Sequence, residues 1–276
     1  MAASTSIRRI AAPAIGPRLG LGSYALRWTL RDEDPLSSCR LLISVTAELG
    51  LGLVQIADNV DLLELDARQR RELRAEADDA KVHIEVGTRS YRATDFRRML
   101  RVAEAFDSQH IRVVGVDLRR LSALLVRVRA DVSAWGGGVV VENYFPVRSS
   151  DLLATLSPFG DWVGTCADTA NSIPAGEWPL DTLRNLLPDA HYVHIKDYKF
   201  VAGPNAIGWM LIGTPLGSGQ QEVREIVRAT AAAHHCPDLI LEHWLPRMGS
   251  QRATTRAERA WLEQGLSVLR QIAPAS

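Results

Sequence analysis

Four side chains able to bind a metal end short apolar segments in the second half of the chain. Glu142 ends VVVE, Asp168 ends GTCAD, His194 lies in YVHIK and Glu242 ends LILE. The spacing is 26 residues from Glu142 to Asp168 and 26 again from Asp168 to His194. Three carboxylates and one imidazole suit one divalent ion, such as Mn²⁺, Mg²⁺, Co²⁺ or Zn²⁺. Without a cation, clustered carboxylates raise one another's pKa values, which separately favours a metal. We call these four residues the metal quartet.

The quartet belongs to a regular alternation of β-rich apolar segments and longer helical segments. Strands separated by helices pair in parallel, and eight such units can close into a barrel. No GxGxxG motif follows the first strand, which disfavours an open doubly wound sheet. The sequence therefore predicts an α/β fold, a (β/α)8 TIM barrel in a single domain over residues 18–276, after a leader at 1–17. The predicted strands are Arg18–Tyr24, Leu51–Ala57, Val82–Gly87, Ile111–Val116, Val139–Asn143, Trp162–Ala167, Tyr192–Lys196 and Leu239–Glu242.

Side-chain direction predicts that the quartet points towards the barrel axis. Successive strand residues face opposite sides, so an inward His194 implies an inward Tyr192 and Lys196, and an inward Asp168 implies an inward Cys166. Active sites of such barrels lie at the carboxyl ends of the strands. A lone strand-end glutamate is often merely exposed, and a lone histidine is often structural. All four residues together, in register on neighbouring strands, favour a metal centre.

Two further segments carry local signals. The segment from Asp197 to Gln220 is predicted as a long loop, and its PLGSG motif at 215–219 could bind an anion through backbone N–H groups, although glycine more often only permits a tight turn. Thr255 and Glu258 have the spacing of a capping box at the start of the last helix. One buried helix face is predicted from Phe96, Met99, Leu100, Ala103 and Phe106.

The composition limits the classes of function. The 276 residues are 46% hydrophobic and 23% charged, as in an ordinary globular protein. Thirty-two basic residues balance 32 acidic ones, so no basic excess favours nucleic acid as a partner. No apolar run approaches the roughly 20 residues of a membrane span. The three cysteines form no CxxC pair, and we expect a cytoplasmic protein.

The sequence resembles the sugar phosphate isomerase and epimerase family, which belongs to the xylose isomerase-like TIM barrels. The matching segments are VVVEN, CADTAN, HIKD, LILEH and PLGSG. The resemblance implies that the metal quartet binds one divalent ion, usually Mn²⁺, Mg²⁺ or a similar ion, with Mn²⁺ the expected one. In the family's ketose epimerases the two glutamates also move protons, which here would be Glu142 and Glu242. Two positions depart from the pattern. Tyr144 stands where many members have histidine, and Asn171 stands where a subset of epimerases has histidine.

These residues predict a metal-dependent isomerase or epimerase acting on a small carbohydrate. A proton next to the carbonyl of a sugar, keto-sugar or cyclitol would be removed, and the enediolate would be stabilised by the metal. Glu142 and Glu242 are the predicted acid and base. Lys196 is a further catalytic candidate that could neutralise the enediolate, unless it only forms an ion pair with Asp197 or Glu242. The predicted substrate contacts are Asn143, Tyr144, Asn171, Arg27, Trp28, Arg89 and Trp209.

Three other functions remain open at this stage. A lyase or dehydratase could use the same metal and base for elimination. An apurinic endonuclease-like nuclease needs a histidine-rich cluster of several metals and a polyanion surface, whereas only His194 is a convincing ligand among seven histidines. A non-catalytic sugar-binding barrel is disfavoured by a complete set of ligands. A homo-oligomer is compatible with the sequence.

Overall fold

The computed structural model describes residues 17–272, in which eight parallel strands close into a barrel surrounded by helices. The barrel order is β1-β10-β7-β6-β5-β4-β3-β2, so the predicted (β/α)8 fold is confirmed. Each of the eight predicted strands corresponds to one barrel strand. Apart from Pro17, the predicted leader lies outside the described residues. The strands are β1 Leu19–Gly22, β2 Leu53–Ile56, β3 His83–Thr88, β4 His110–Gly115, β5 Gly138–Asn143, β6 Val163–Asp168, β7 Ala190–Ile195, β8 Asp197–Ala202, β9 Trp209–Thr214 and β10 Asp238–Leu241.

The outer helices begin and end at recognisable signals. In α1, the Asp34 side chain accepts hydrogen bonds from two backbone N–H groups, and Pro35 occupies the first helical position. Asp66 and Gln69 form a capping box at the start of α2. The predicted apolar face of α3 is buried. The helices are α1 Pro35–Glu48, α2 Ala67–Asp79, α3 Ala93–Phe106, α4 Leu118–Trp135, α5 Ser149–Leu156, α6 Pro179–Leu186, α7 Val223–Ala232 and α8 Gln251–Ile272.

The predicted loop from Asp197 to Gln220 contains a β-hairpin, so this prediction was wrong. Strands β8 and β9 pair antiparallel, with Asp197 opposite Thr214 at the base and Ala202 opposite Trp209 at the tip. The segments DYKFVA and WMLIGT are rich in β-branched and aromatic residues, which fit a pleated strand. Gly203 after β8, Gly208 before β9 and the glycine-rich PLGSG segment after β9 had obscured that preference.

The predicted capping box at Thr255 was also wrong, because α8 begins earlier, at Gln251. Thr255 lies inside the helix, and its hydroxyl donates to the Gln251 carbonyl oxygen at 3.3 Å. Glu258 instead reaches the segment that follows β1. Its carboxylate accepts from the backbone N–H groups of Trp28 at 2.6 Å and Thr29 at 2.8 Å. A long-range contact therefore replaces the local one.

The interior of the barrel has an apolar layer beneath the quartet, formed by residues of five strands. Each residue of this layer precedes, by two positions on the same segment, a polar side chain that points into the barrel. All of them are at most 2% exposed. A larger core lies between the barrel and the helices. Each fully buried aliphatic side chain contributes about 1.5–3 kcal/mol. The layer is formed by Leu53, Val140, Cys166, Tyr192 and Ile240.

None of the described helices is long and apolar enough to cross a membrane.

Candidate metal centre

Strand register brings the metal quartet to one end of the barrel interior. Asp168 on β6 lies beside His194 on β7, and Glu142 on β5 lies beside Cys166 on β6. Leu241 pairs with Ile195, so the next residue, Glu242, lies beside Lys196. All four quartet side chains are buried, and His194 and Asp168 are fully inaccessible.

The imidazole of His194 is the centre of the cluster. Its Nδ1 atom lies 3.9 Å from Glu142 Oε1, 3.8 Å from Asp168 Oδ2 and 3.5 Å from Glu242 Oε1. Neither His194 Nδ1 nor Asp168 Oδ2 has a hydrogen-bond partner among the described residues. Buried polar atoms without partners are rare and need an explanation. Asp168 Oδ2 is paired with the Lys196 ammonium at 2.6 Å, so His194 Nδ1 is the atom that a cation would satisfy.

Gln55, on β2, fixes the orientation of His194. Its Oε1 atom lies 2.8 Å from His194 Nε2, and only 1% of Gln55 is exposed. With the Gln55 amide oxygen as the acceptor, Nε2 of His194 carries the proton and Nδ1 presents a lone pair. Metal-ligating histidines commonly have such an outer partner. Sequence reasoning missed Gln55, although one polar residue in the apolar strand LVQI was a signal.

Lys196 lies inside the cluster. Its ammonium nitrogen lies 2.6 Å from Asp168 Oδ2, and it donates to Glu242 Oε2 at 2.8 Å. Burial favours the neutral amine, but Asp168 and Glu242 reverse this, and the pKa of Lys196 is raised. Glu242 is one of the two ion-pair partners that the sequence suggested, whereas Asp197 takes no part.

Arg112, on β4, is the second buried cation, and sequence reasoning missed it. Its guanidinium donates to Glu142 Oε2 and lies 3.4 Å from Asp58 Oδ1. Gly87 provides the space, because a Cβ atom there would lie 2.9 Å from Arg112 Nε. Gly22 makes space for Glu242 in the same way, because a Cβ atom on Gly22 would lie 2.6 Å from Glu242 Cγ. A charged residue within the apolar segment IRVVG was the available signal.

Asp58 connects this interior to the mouth of the barrel. It lies 3.0 Å from Arg89 Nε and accepts from the Tyr24 hydroxyl at 3.0 Å. The Arg89 guanidinium carbon lies 4.6 Å from the centre of the Tyr144 ring, a cation–π contact. The side chain of Arg89 remains 42% exposed. Of the predicted substrate contacts, Arg89 and Tyr144 are therefore adjacent and reachable from solvent.

The two predicted asparagines are buried and support the quartet. Asn143 accepts from the Asp168 backbone N–H at 2.7 Å and donates to the Asp168 carbonyl oxygen at 2.9 Å, which ties β5 to β6. Asn171 donates to Glu142 Oε1 at 2.9 Å. The geometry gives both residues a positioning role, and a substrate contact remains a prediction.

The other three predicted substrate contacts lie farther out. Trp28 donates through its indole N–H to the Leu245 carbonyl oxygen at 2.8 Å, and Arg27 lies 5.0 Å above its ring. Trp209 is at the hairpin tip, opposite Ala202, and is 76% exposed. The structure thus does not place these residues beside the quartet side chains.

The glycine-rich PLGSG loop already holds an anion, the carboxylate of Asp197. The backbone N–H groups of Gly217, Gly219 and Gln221 each donate to Asp197 at 2.9 Å. The anion-binding geometry suggested by the sequence is present, but a residue of the chain itself occupies it.

The cluster fits a divalent ion. Three quartet carboxylates face two cationic side chains, Lys196 and Arg112, and Arg112 is shared with Asp58. Ion pairing with Lys196 satisfies the Asp168 carboxylate but leaves His194 Nδ1 without a partner among the described residues. Carboxylate oxygens and one imidazole nitrogen match hard or borderline ions. Residues 17–272 contain two groups of three side chains that could hold a metal ion, and both include His194. One is formed with Asp168 and Glu242, and the other with Glu142 and Cys166.

No family model matches the chain. The chain is 28% identical over 260 residues to the 3-oxo-isoapionate decarboxylase of Pectobacterium atrosepticum, covering 91% of this chain and 94% of that protein. A xylose isomerase-like TIM barrel protein from Mycobacterium smegmatis, solved in complex with magnesium, has a TM-score of 0.64 at 16% identity. The match covers 94% of this chain and the full length of the Mycobacterium smegmatis protein.

The chain shares the TIM-barrel fold of that protein. The D-psicose 3-epimerase of Clostridium cellulolyticum H10, solved with D-tagatose, has a TM-score of 0.70 at 14% identity, over 92% of this chain and 98% of that one. The predicted resemblance is therefore confirmed at the level of fold. The named relatives of this barrel include sugar-processing enzymes of different reaction types.

Proposed function

We propose that the protein is an enzyme that uses one divalent ion, held by the metal quartet, to form an enolate beside the carbonyl of a carbohydrate-derived substrate. The observation that carries this proposal is the buried, unpartnered Nδ1 atom of His194, with three carboxylates within 3.9 Å. Mn²⁺ is the proposed ion, in keeping with the oxygen-rich ligands. When bound, the ion supplies Lewis-acid stabilisation of negative charge on a substrate oxygen.

The cationic partners of the two glutamates distinguish between reactions. Glu142 Oε2 is held by Arg112, and Glu242 Oε2 is held by Lys196 at 2.8 Å. A carboxylate with one oxygen facing a metal and the other bound to a cation is a poor proton acceptor. This favours a reaction that forms the enolate without a carboxylate base. Loss of CO₂ from a 3-oxo acid is such a reaction, and the 28% identical decarboxylase supports it.

In this reaction the bond from the α-carbon to the carboxylate breaks. Its electron pair moves towards the adjacent carbonyl oxygen, which gives CO₂ and an enolate. Lys196 Nζ then donates a proton to the α-carbon and regains one from solvent. The buried ammonium group is held in place by Asp168 and Glu242 and lies 5.1 Å from the centre of the Trp244 ring.

Epimerisation or isomerisation is the second candidate. Glu142 and Glu242 approach His194 from strands β5 and β10, with carboxylate oxygens 3.9 and 3.5 Å from Nδ1. Two carboxylates on opposite sides of a substrate could remove and return a proton. The likeness in fold to a D-psicose 3-epimerase supports this alternative only at the level of scaffold.

The test compares a sugar-derived 3-oxo acid, 3-oxo-isoapionate, with free ketoses, using Mn²⁺-loaded protein in D₂O. Release of CO₂ with one deuterium incorporated into the product supports decarboxylation. Deuterium exchange in a ketose without CO₂ release supports the second candidate. If the metal binds and neither reaction occurs, the proposed function is wrong.

Variants assign the roles in this test. Asp168→Asn should abolish either reaction through loss of the metal. Lys196→Met should lower the rate of product formation from the 3-oxo acid at least about 10²-fold, which is the usual contribution of a general acid. The matched control is Lys199→Met, because Lys199 is an exposed lysine only three residues away. Equal activity of the two lysine variants would remove Lys196 from the mechanism.

A further inference from the structure

Cys166 lies directly beneath the metal quartet. It is on β6, two residues before Asp168, and it is in register with Glu142 on β5. Its side chain is fully buried. The Cys166 sulfur, a ring nitrogen of His194 and a carboxylate oxygen of Glu142 all lie within 4.8 Å of one another. A second set of donor atoms therefore overlaps the quartet and extends one layer deeper into the barrel.

The two donor sets differ in chemical softness. Asp168, His194 and Glu242 offer two carboxylates and an imidazole, whereas the deeper set replaces one carboxylate with sulfur. Thiolate ligands select soft or borderline ions such as Zn²⁺, and carboxylates suit Mg²⁺ and Mn²⁺. The buried, unpartnered Nδ1 of His194 is available to an ion in either set.

We propose that Cys166, His194 and Glu142 form a second, deeper position for a thiophilic divalent ion, Zn²⁺ or Cd²⁺, which excludes the ion used in catalysis. The proposal shares His194 and Glu142 with the proposed function and to that extent rests on it. When the ion binds, a metal–sulfur bond forms and the thiol proton passes to solvent, with no change in oxidation state. Because the two positions share His194, they cannot be filled independently.

Occupancy of the deeper position has a functional consequence. An ion held by Cys166 lies below Asp168 and Glu242, which keep Lys196 as their shared cation at 2.6 and 2.8 Å. The ion would then be farther from the barrel mouth, where substrate enters. Zn²⁺ and Cd²⁺ should therefore inhibit a Mn²⁺-dependent activity, and Mg²⁺ should not.

The test titrates the full-length protein with Cd²⁺ and follows the near-ultraviolet sulfur-to-cadmium charge-transfer absorption. The wild-type protein should develop this band at one equivalent. Cys166→Ser and Cys166→Ala should lose the band, and their Cd²⁺ affinity should fall at least about tenfold. Loss of a residue that only supports a ligand already lowers metal affinity by about tenfold or more, and loss of the ligand itself should cost no less. Cys39→Ser and Cys236→Ser, which alter the other two cysteines, should retain it.

Mn²⁺ binding, measured by electron paramagnetic resonance, separates this inference from the proposed function. We expect Mn²⁺ affinity in Cys166→Ser to stay within about threefold of wild type, well below the tenfold change of a lost ligand contact. If the wild-type protein binds Mn²⁺ but shows no charge-transfer band with Cd²⁺, the deeper position is refuted and the proposed function survives. If the band appears and Mn²⁺ does not bind, the deeper position stands alone.

Discussion

A single hydrogen bond decides which nitrogen of His194 can bind a metal. Gln55 Oε1, 2.8 Å from Nε2, holds the proton on that nitrogen and turns Nδ1 towards the three carboxylates. Both side chains are buried, so water does not compete for this bond. The glutamine thus contributes to metal binding without contacting the ion.

Replacing Gln55 should therefore weaken metal binding. We expect Gln55→Leu to lower Mn²⁺ affinity by about 10–100-fold, since the histidine loses its fixed tautomer and orientation. Isothermal titration calorimetry measures the change. Gln271→Leu, at an exposed position near the end of α8, is the control and should bind as wild type. Unchanged affinity in Gln55→Leu would contradict the orienting role.

The sequence predicted the quartet but not its buried partners, for a physical reason. The 26-residue recurrence of Glu142, Asp168 and His194 follows from the repeat of one strand and one helix. It brings Asp168 into register with His194, whereas Glu142 is in register with Cys166. Arg112 comes from β4, which borders β5 but carries no ligand, and Gln55 comes from β2, across the barrel from β7. The contact of Gln55 with His194 therefore depends on closure of the sheet, which local patterns do not encode.

Among the elements, α8 is joined to the first strand–helix connection by a buried carboxylate. Glu258 is fully inaccessible and accepts from two backbone N–H groups and from the Thr29 hydroxyl at 2.6 Å. Sequence reasoning assigned Glu258 a local capping role because the spacing from Thr255 matched one. The partners that Glu258 actually binds are about 230 residues away, at Trp28 and Thr29.

Neutralising this carboxylate should destabilise the fold. Glu258→Gln places an amide N–H₂ group opposite backbone donors, and we expect a loss of about 1–3 kcal/mol in the free energy of unfolding. Urea denaturation provides the measurement. Glu263→Gln on the same helix removes an exposed pair with Arg259 and should cost less than about 1 kcal/mol. Similar losses in the two variants would disprove the special role of Glu258.

The hairpin shows the limit of element prediction in this chain. The eight barrel strands were predictable because each is a short apolar run between helical segments. Strands β8 and β9 follow β7 at once, and only Lys196 separates β7 from β8. Their tip is exposed, so no alternation of buried and polar residues marked them.

At the scale of the whole molecule, polar networks lie at both ends of the barrel, separated by the apolar layer. At the amino-terminal end, Glu85 accepts from the Ser108 hydroxyl at 2.7 Å and pairs with His83 at 2.8 Å. Burial alone would raise the pKa of Glu85. The His83 hydrogen bond and the charges of His110 and His83 outweigh it and hold the pKa at about 2.

The depressed pKa predicts a pH dependence of stability. Glu85 favours the folded state above its unfolded pKa of about 4.5, and this contribution disappears as pH falls towards about 2. The shift corresponds to roughly 3 kcal/mol. The difference in free energy of unfolding between wild type and Glu85→Gln should thus be largest near pH 6 and should shrink by pH 3. A difference independent of pH would contradict this assignment.

Metal binding at the opposite end should stabilise the entire barrel, because strands β5, β6, β7 and β10 each contribute to or border the quartet. At a free Mn²⁺ concentration one hundred times the dissociation constant, the expected gain is about 2.7 kcal/mol. Calorimetric melting with and without EDTA measures it, and Asp168→Asn should show no gain. Equal melting temperatures for wild-type protein with and without Mn²⁺ would be inconsistent with a quartet that binds metal.

The Asp197 carboxylate bound by the glycine loop acts as an intramolecular competitor. It is tethered to the loop's own scaffold, so its effective concentration is at least millimolar, and three N–H groups already hold it. A phosphorylated sugar would have to displace this tethered group before the loop could bind its phosphate. We therefore expect discrimination against phosphate esters and a preference for unphosphorylated sugars and sugar acids.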